Sequence, residues 1–258
     1  MVVSLIASAG WSQQASLTWL GTLGGAESFA YGVSADGSVV VGYSRNAAGR
    51  LHAVRWANGV IQDLGTLGGD EGRAWSVSAD GQVVVGVSRT VAGREHAFRW
   101  ANGVMQDFGA RGGDRSAAVG VSADGSVVVG AYQPRGDWLE RAFRWTVAGG
   151  MEDLNITYAS LLTPGWLLAG ALAISPDGRY IVGVGFNADT WRTEAYLLDT
   201  GFPLRGDVDR NGCVDDADLL RVLFAFGGRG YRNEDLNWDG IIDDADLLIV
   251  LFNFGSEC

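Results

Sequence analysis

The chain has 258 residues, 47% of them hydrophobic and 10% aromatic, a composition that excludes a disordered polymer and leaves room for one large domain or two smaller ones. Glycine is abundant at 39 residues and proline scarce at 4, which suits an all-β protein with many tight turns. A formal net charge of −11 argues against nucleic acid as a partner, and with no run of about 18 apolar residues no membrane span is expected.

The first element is a short apolar run, Val2 to Ala9, ending in the small residues Ala7-Ser8-Ala9 that suit a signal-cleavage site. It has no basic start, so residues 1–9 read as a clipped export signal, with an ordinary N-terminal strand as the alternative. Export would place the protein outside the cell or on its surface.

From Leu17 onward the chain repeats itself. VSADGSVVVG at Val33 to Gly42 recurs as VSADGQVVVG from Val77 and again as VSADGSVVVG from Val121, with a weaker copy, ISPDGRYIVG, from Ile174. Their aspartates, Asp36, Asp80, Asp124 and Asp177, stand 44, 44 and 53 residues apart. A second phrase follows each time: HAVRW ending at Trp56, HAFRW ending at Trp100 and RAFRW ending at Trp145, with EAYLL as a degenerate fourth. LGTLGG begins at Leu20 and Leu64 and decays to FGARGG at Phe108.

Apolar alternation bounded by Gly, Asn and Asp predicts four short strands per unit. In the second unit these are Ala74 to Ser78, Val83 to Ser88, His96 to Trp100 and Val104 to Phe108. SADG is a hairpin turn whose Asp bonds the backbone ahead and whose Gly takes a positive φ. Units of this size are expected as blades of a β-propeller over residues 15–200. The fourth unit lacks its last strand, and Leu17 to Gly25 matches a last strand without its first three. Pairing the two would close a four-bladed ring and hide both edges. An open solenoid, or a half-ring that dimerises, is the rival architecture. On these phrases the region from Leu17 to Asp199 resembles the HAF family of extracellular repeats, His96-Ala97-Phe98 carrying the name. The resemblance implies export and no activity.

The repeated aspartates are expected to serve turns. His52 and His96 hold equivalent places one unit apart and do not form a metal-ligand pattern. Glu152, Asp153 and Glu194 are isolated acids that nothing in the sequence brings together for acid–base chemistry. Trp138 and Trp191 are unrepeated, lie between the second and third strands of the last two units, and are candidate glycan contacts, with packing over the blade edge as the alternative.

The last segment is strongly acidic, with twelve Asp or Glu and five Arg from Gly201 onward. Calcium loops supply oxygens at positions 1, 3, 5, 7, 9 and 12, with Gly at 6. In the first loop these positions are Asp207, Asp209, Asn211, Cys213 through its carbonyl, Asp215 and Asp218, with Gly212 at the turn. In the second they are Asp235, Asn237, Asp239, Ile241 through its carbonyl, Asp243 and Asp246, with Gly240 at the turn. Two calcium ions are therefore expected. DADLLRVLFAFG and DADLLIVLFNFG follow as helices with apolar stripes, Leu219, Leu220, Val222, Leu223 and Phe226 in the first and their counterparts in the second. Residues 206–258 are thus expected to form a small all-α, EF-hand-like domain.

Asp at position 12, with no entering helix, resembles a type I dockerin over Gly206 to Gly255. That resemblance implies a cohesin-like partner and a cellulosome-like or surface-attached setting. It places the contact at Asp216-Ala217 and Asp244-Ala245, with Leu223-Phe224 and Leu251-Phe252 further along, in two possible orientations. These pairs depart from the hydroxyl and basic residues usual in such modules. Because dockerin-like modules bring their ends together, the resemblance also implies a Cys213–Cys258 disulfide, with free thiols or pairing to a partner chain as the alternatives. The function expected is that of an exported, non-catalytic repeat protein assembled through calcium. The alternative is a polysaccharide-acting hydrolase or lyase, or a glycan-binding component of a polysaccharide-degrading assembly.

Overall fold

The computed structural model describes residues 15–258, so the export signal expected over 1–9 lies outside the described residues. The first unit comprises β1 (Gly24–Val33), β2 (Val39–Asn46), β3 (Leu51–Ala57) and β4 (Val60–Asp63). The second has β5 (Gly68–Val77), β6 (Val83–Thr90), β7 (Glu95–Ala101) and β8 (Val104–Asp107). The third has β9 (Arg115–Val121), β10 (Val127–Gln133), β11 (Arg141–Thr146) and β12 (Gly150–Asp153), followed by the one-turn helix α1 (Leu154–Thr157). The fourth has three strands, β13 (Leu167–Ile174), β14 (Tyr180–Asn187) and β15 (Arg192–Asp199). Consecutive strands within each unit pair antiparallel, as expected for an all-β repeat.

Each hairpin turn is built by its own side chains. Ser34 Oγ donates to Asp36 at 2.7 Å while accepting from Val39 N, and Asp36 also accepts from Ser38 N at 2.9 Å. The same wiring recurs at Ser78/Asp80, Ser122/Asp124 and Ser175/Asp177. The Ser38 backbone donor, then the Ser34 hydroxyl, hold the exposed Asp36 carboxyl down at about 2. A row of backbone bonds links turn to turn: Ala35 N to Ala79 O, Ala79 N to Ala123 O, and Ala123 N to Pro176 O. Pro176 has no N–H, so it donates to no further turn.

The core is three copies of one interface. Val39, Val41 and Ala53 of the first unit pack on Ala74, Val84, Phe98 and Trp100 of the second. Val83, Val85 and Ala97 pack likewise on Ala118, Val128, Phe143 and Trp145, and Val129 and Ala142 on Ala171, Ile181 and Leu198. Each joint carries an arginine over an aromatic ring of the next unit: Arg55 over Trp100, Arg99 over Trp145 and Arg144 over Tyr158, the last just beyond α1.

Among the described residues the expected ring closure does not occur. Leu17 and Trp19, which would form the closing strand, are exposed and outside any strand. Leu23 instead bonds Ser44 Oγ of the first unit at 2.9 Å. LGTLGG is a connector into the first strand of the next unit, held by Thr22 Oγ1 donating to Gly25 O and by Thr66 Oγ1 donating to Gly69 O. The phrase therefore belongs to the start of a unit and does not end one. Ala30 is exposed where Ala74, Ala118 and Ala171 are buried. At the other end Val182 and Leu197 are 42% and 68% exposed, whereas Val41, Val85 and Val129 are fully buried. The four units form an open arc.

After the arc, α2 (Asp216–Ala225) and α3 (Asp244–Asn253) pack around Val208, Val214, Val222, Ile242 and Val250. Val214, in the first loop, pairs with Gly255 and Ser256 after α3, and Ile242, in the second, with Gly227 and Gly228 after α2. Each loop is thereby tied to the far end of the other helix.

Candidate metal centre

Aspartates at positions 1, 9 and 12 organise each loop for different reasons. Asp215 and Asp243 are N-caps, accepting from Ala217 N and Ala245 N at 2.8 Å. Asp218 and Asp246 complete capping boxes by accepting from Asp215 N and Asp243 N at 2.9 Å. The other oxygen of Asp218 accepts from Val208 N and Asp209 N, and that of Asp246 from Leu236 N and Asn237 N. Asp207 accepts from Asn211 N and Gly212 N, and Asp235 from Asp239 N and Gly240 N. Gly212 and Gly240, with φ of 91° and 87°, make the turn that aims these N–H groups inward.

In the first loop the carboxylates of Asp207, Asp209 and Asp218 lie within 4.8 Å of one another. In the second, Asn237 replaces Asp209, and its amide bonds Asp239 Oδ2 at 2.9 Å. Asp207, Asp218, Asp235 and Asp246 are all buried. Among the described residues the nearest cation is Arg221, 3.7 Å from Asp209. Buried carboxylates without a counter-charge cost several kcal/mol each, so the donor set fits a hard, oxygen-preferring divalent cation.

Burial pushes the Asp207 carboxyl above its ordinary value. Backbone donation from Gly212 opposes this, and negative Asp218 adds to it. Asp235 is raised by burial in the same way, against Gly240 donation and with Asp246 repulsion. A carboxyl raised in the fold stabilises it below the unfolded value of about 3.9 and loses that stabilisation as pH rises through the folded value. In the metal-free protein the C-terminal thermal transition should therefore fall as pH rises from about 4 towards neutrality. Calcium should lift it most at neutral pH, where protons no longer compete. Calorimetry with and without chelator reads both trends.

Cys213 and Cys258 are joined by a disulfide, with Cα atoms 5.0 Å apart. It closes 45 residues, for which the loop-entropy model gives roughly 4 kcal/mol. The apolar stripes are only partly used. Val222 and Val250 are buried, while Leu223 and Leu251 are exposed and Phe224 and Phe252 are 86% and 82% exposed. Asp216, Ala217, Asp244 and Ala245 stand in the first turns of the helices, beside the loops.

The repeat region's chemistry is local. His52 Nδ1 lies 2.7 Å from Asp63 and His96 Nδ1 lies 2.9 Å from Asp107, partners at the ends of β4 and β8 that spacing alone did not reveal. Glu152 pairs with Arg144, Asp153 caps α1 and accepts from Tyr132, and Glu194 accepts from Thr190 and Asn187, so these three acids serve separate structural bonds. Trp138 and Trp191 are 93% and 81% exposed, and Trp191 meets Phe186 edge-on.

No family model matches the chain, and no curated protein matches it. Solved structures that match include TolB from Acinetobacter baumannii, at 18% identity over 66% of this chain and 40% of that one, TM-score 0.45. A putative TolB from Agrobacterium tumefaciens matches at 16% identity over 67% and 57%, TM-score 0.47. A putative 6-phosphogluconolactonase from Bacteroides uniformis matches at 16% over 67% and 56%, TM-score 0.31. The chain spans less than two thirds of each. The resemblances to HAF repeats and to a type I dockerin are corrected: no family model of either kind matches the chain. The phrases that suggested them answer to local geometry. SADG is a side-chain-wired turn, HAFRW places Phe98 and Trp100 in a unit joint, and the Asp-rich loops cap helices and gather backbone N–H groups.

Proposed function

We propose that the chain is a non-catalytic, exported repeat protein whose C-terminal module binds two calcium ions and presents an apolar helical surface to a protein partner. The reading rests chiefly on four buried aspartates, Asp207, Asp218, Asp235 and Asp246, set in two loops of the same wiring with no adequate counter-charge among the described residues. In the first loop Asp207, Asp209, Asn211, Asp215 and Asp218 offer side-chain oxygens and Cys213 its carbonyl. Asp235, Asn237, Asp239, Asp243, Asp246 and the Ile241 carbonyl do so in the second. Bound calcium would neutralise the crowded carboxylates and hold each loop against its helix.

The exposed pairs Leu223-Phe224 and Leu251-Phe252 supply equivalent contact points, so the partner could engage either helix. Calcium-dependent capture of a partner from culture fluid should survive Phe224→Ser or Phe252→Ser alone and fall at least about tenfold in the double variant. Capture unchanged by the double variant would remove these faces from the reading.

The arc is held by apolar joints made of its own residues. Chelation should lower one calorimetric transition markedly and leave the transition of the repeat region within about 2 °C. A single transition lost as a whole would mean that metal also holds the blades. A second reading, glycan binding at Trp138 and Trp191, is favoured by their exposure in loops of the same class. Polysaccharide screening of the wild type and of Trp138→Ala/Trp191→Ala tests it.

A further inference from the structure

Arg210 stands between two positions of the first loop assigned to calcium, Asp209 and Asn211, with a left-handed φ of 61°. Its side chain leaves the loop and reaches the third hairpin turn, 84 residues earlier in the chain. One guanidinium nitrogen lies 2.7 Å from Asp124 Oδ2, and the other donates to Ser126 Oγ at 2.7 Å. Asp124 Oδ1 is already occupied by Ser122 and Ser126, so the arginine completes this carboxylate. Among the described residues no arginine bridges to the equivalent Asp36, Asp80 or Asp177. Trp238 holds the same place in the second loop, with a φ of 59°. It lines, with Arg210, a cavity of about 350 Å³ whose other wall is Pro176, Asp177 and Tyr180 of the fourth unit. The fourth residues of both loops therefore face the hairpin end of the arc.

We infer that the C-terminal module is clasped to the repeat domain through Arg210, and that calcium in the first loop sets the clasp; the inference rests on the calcium reading above. Calcium held by Asp209 and Asn211 would fix the backbone on both sides of Arg210. The arginine then pairs across the interface with less entropy left to lose. The consequence is directional: the exposed helix faces take a defined position relative to the arc only in the calcium-bound protein.

Hydrogen exchange on the full chain, run beside calcium titration calorimetry, tests this. The peptide covering 122–127 should exchange about fivefold more slowly with calcium than with chelator. The equivalent peptide covering 78–83, which has no arginine partner, should not change. Arg210→Ala should still bind two calcium ions but lose the calcium effect on 122–127, and Arg210→Lys should restore part of it. Two ions bound with no change at 122–127 in the wild type would overturn the clasp and leave the calcium reading standing. An effect that persists in Arg210→Ala would overturn Arg210 as its agent. No calcium binding would overturn both.

Discussion

Gly86→Ala should unfold the repeat domain at ordinary temperatures, with a loss of about 3 kcal/mol or more. Gly86 sits in β6 where it crosses β5, and an added methyl would run into the carbonyl oxygen of Arg73, with the Phe98 ring only 2.9 Å away. Neither neighbour can retreat. The carbonyl belongs to a paired strand, and Phe98 is fully buried in the joint between the first and second units. Gly42, Gly130 and Gly183 face the same collision with Phe29, Ala117 and Gly170, so the constraint recurs in every unit. Gly37→Ala is the control: its φ is 73° and nothing lies within 4 Å, so only backbone strain of about 1 kcal/mol is expected. Thermal unfolding of the pair reads the difference, and equal effects would contradict the close-packed crossing.

Asp218→Ala should remove one calcium ion and destabilise the C-terminal module by about 3 kcal/mol or more. The substitution deletes a proposed metal ligand and leaves the N–H groups of Val208, Asp209 and Asp215 without their acceptor. It also breaks the capping box of α2. Asp246→Ala should do the same to the second loop through Leu236, Asn237 and Asp243. Asp218→Asn keeps an acceptor and should fold better than Asp218→Ala while still binding calcium poorly. Calorimetric unfolding in chelator separates the structural loss from the lost ion.

The strands were legible because each unit repeats its alternation and its turn. The expected Val83 to Ser88 and His96 to Trp100 lie inside β6 and β7. The wiring of SADG could be anticipated from Ser and Asp at fixed offsets. Closure could not, because the exchange of a strand for a connector at LGTLGG depends on what Thr22 and Thr66 bond, and a repeat phrase does not carry that. The same limit hid Asp63 and Asp107 as partners of His52 and His96, since these pairs cross between neighbouring strands. The turn glycines and the helix-capping aspartates of the two loops were readable because they stand at fixed offsets in both; that these positions hold calcium is the proposal made above. Arg210 was not readable, because its partner Asp124 lies in another domain and Arg at a fourth loop position has no local meaning. The sequence showed the apolar stripes but not which of their residues are covered: only Val222 and Val250 are fully buried, because two short helices packed against each other cover one edge of each stripe.

Calcium titration of the full chain by calorimetry is the most direct test of the central claim. The account predicts two ions bound per chain in the wild type, one in Asp218→Ala and one in Asp246→Ala, with binding weakening as pH falls into the carboxylate range. No binding, or binding that both variants leave intact, would contradict it.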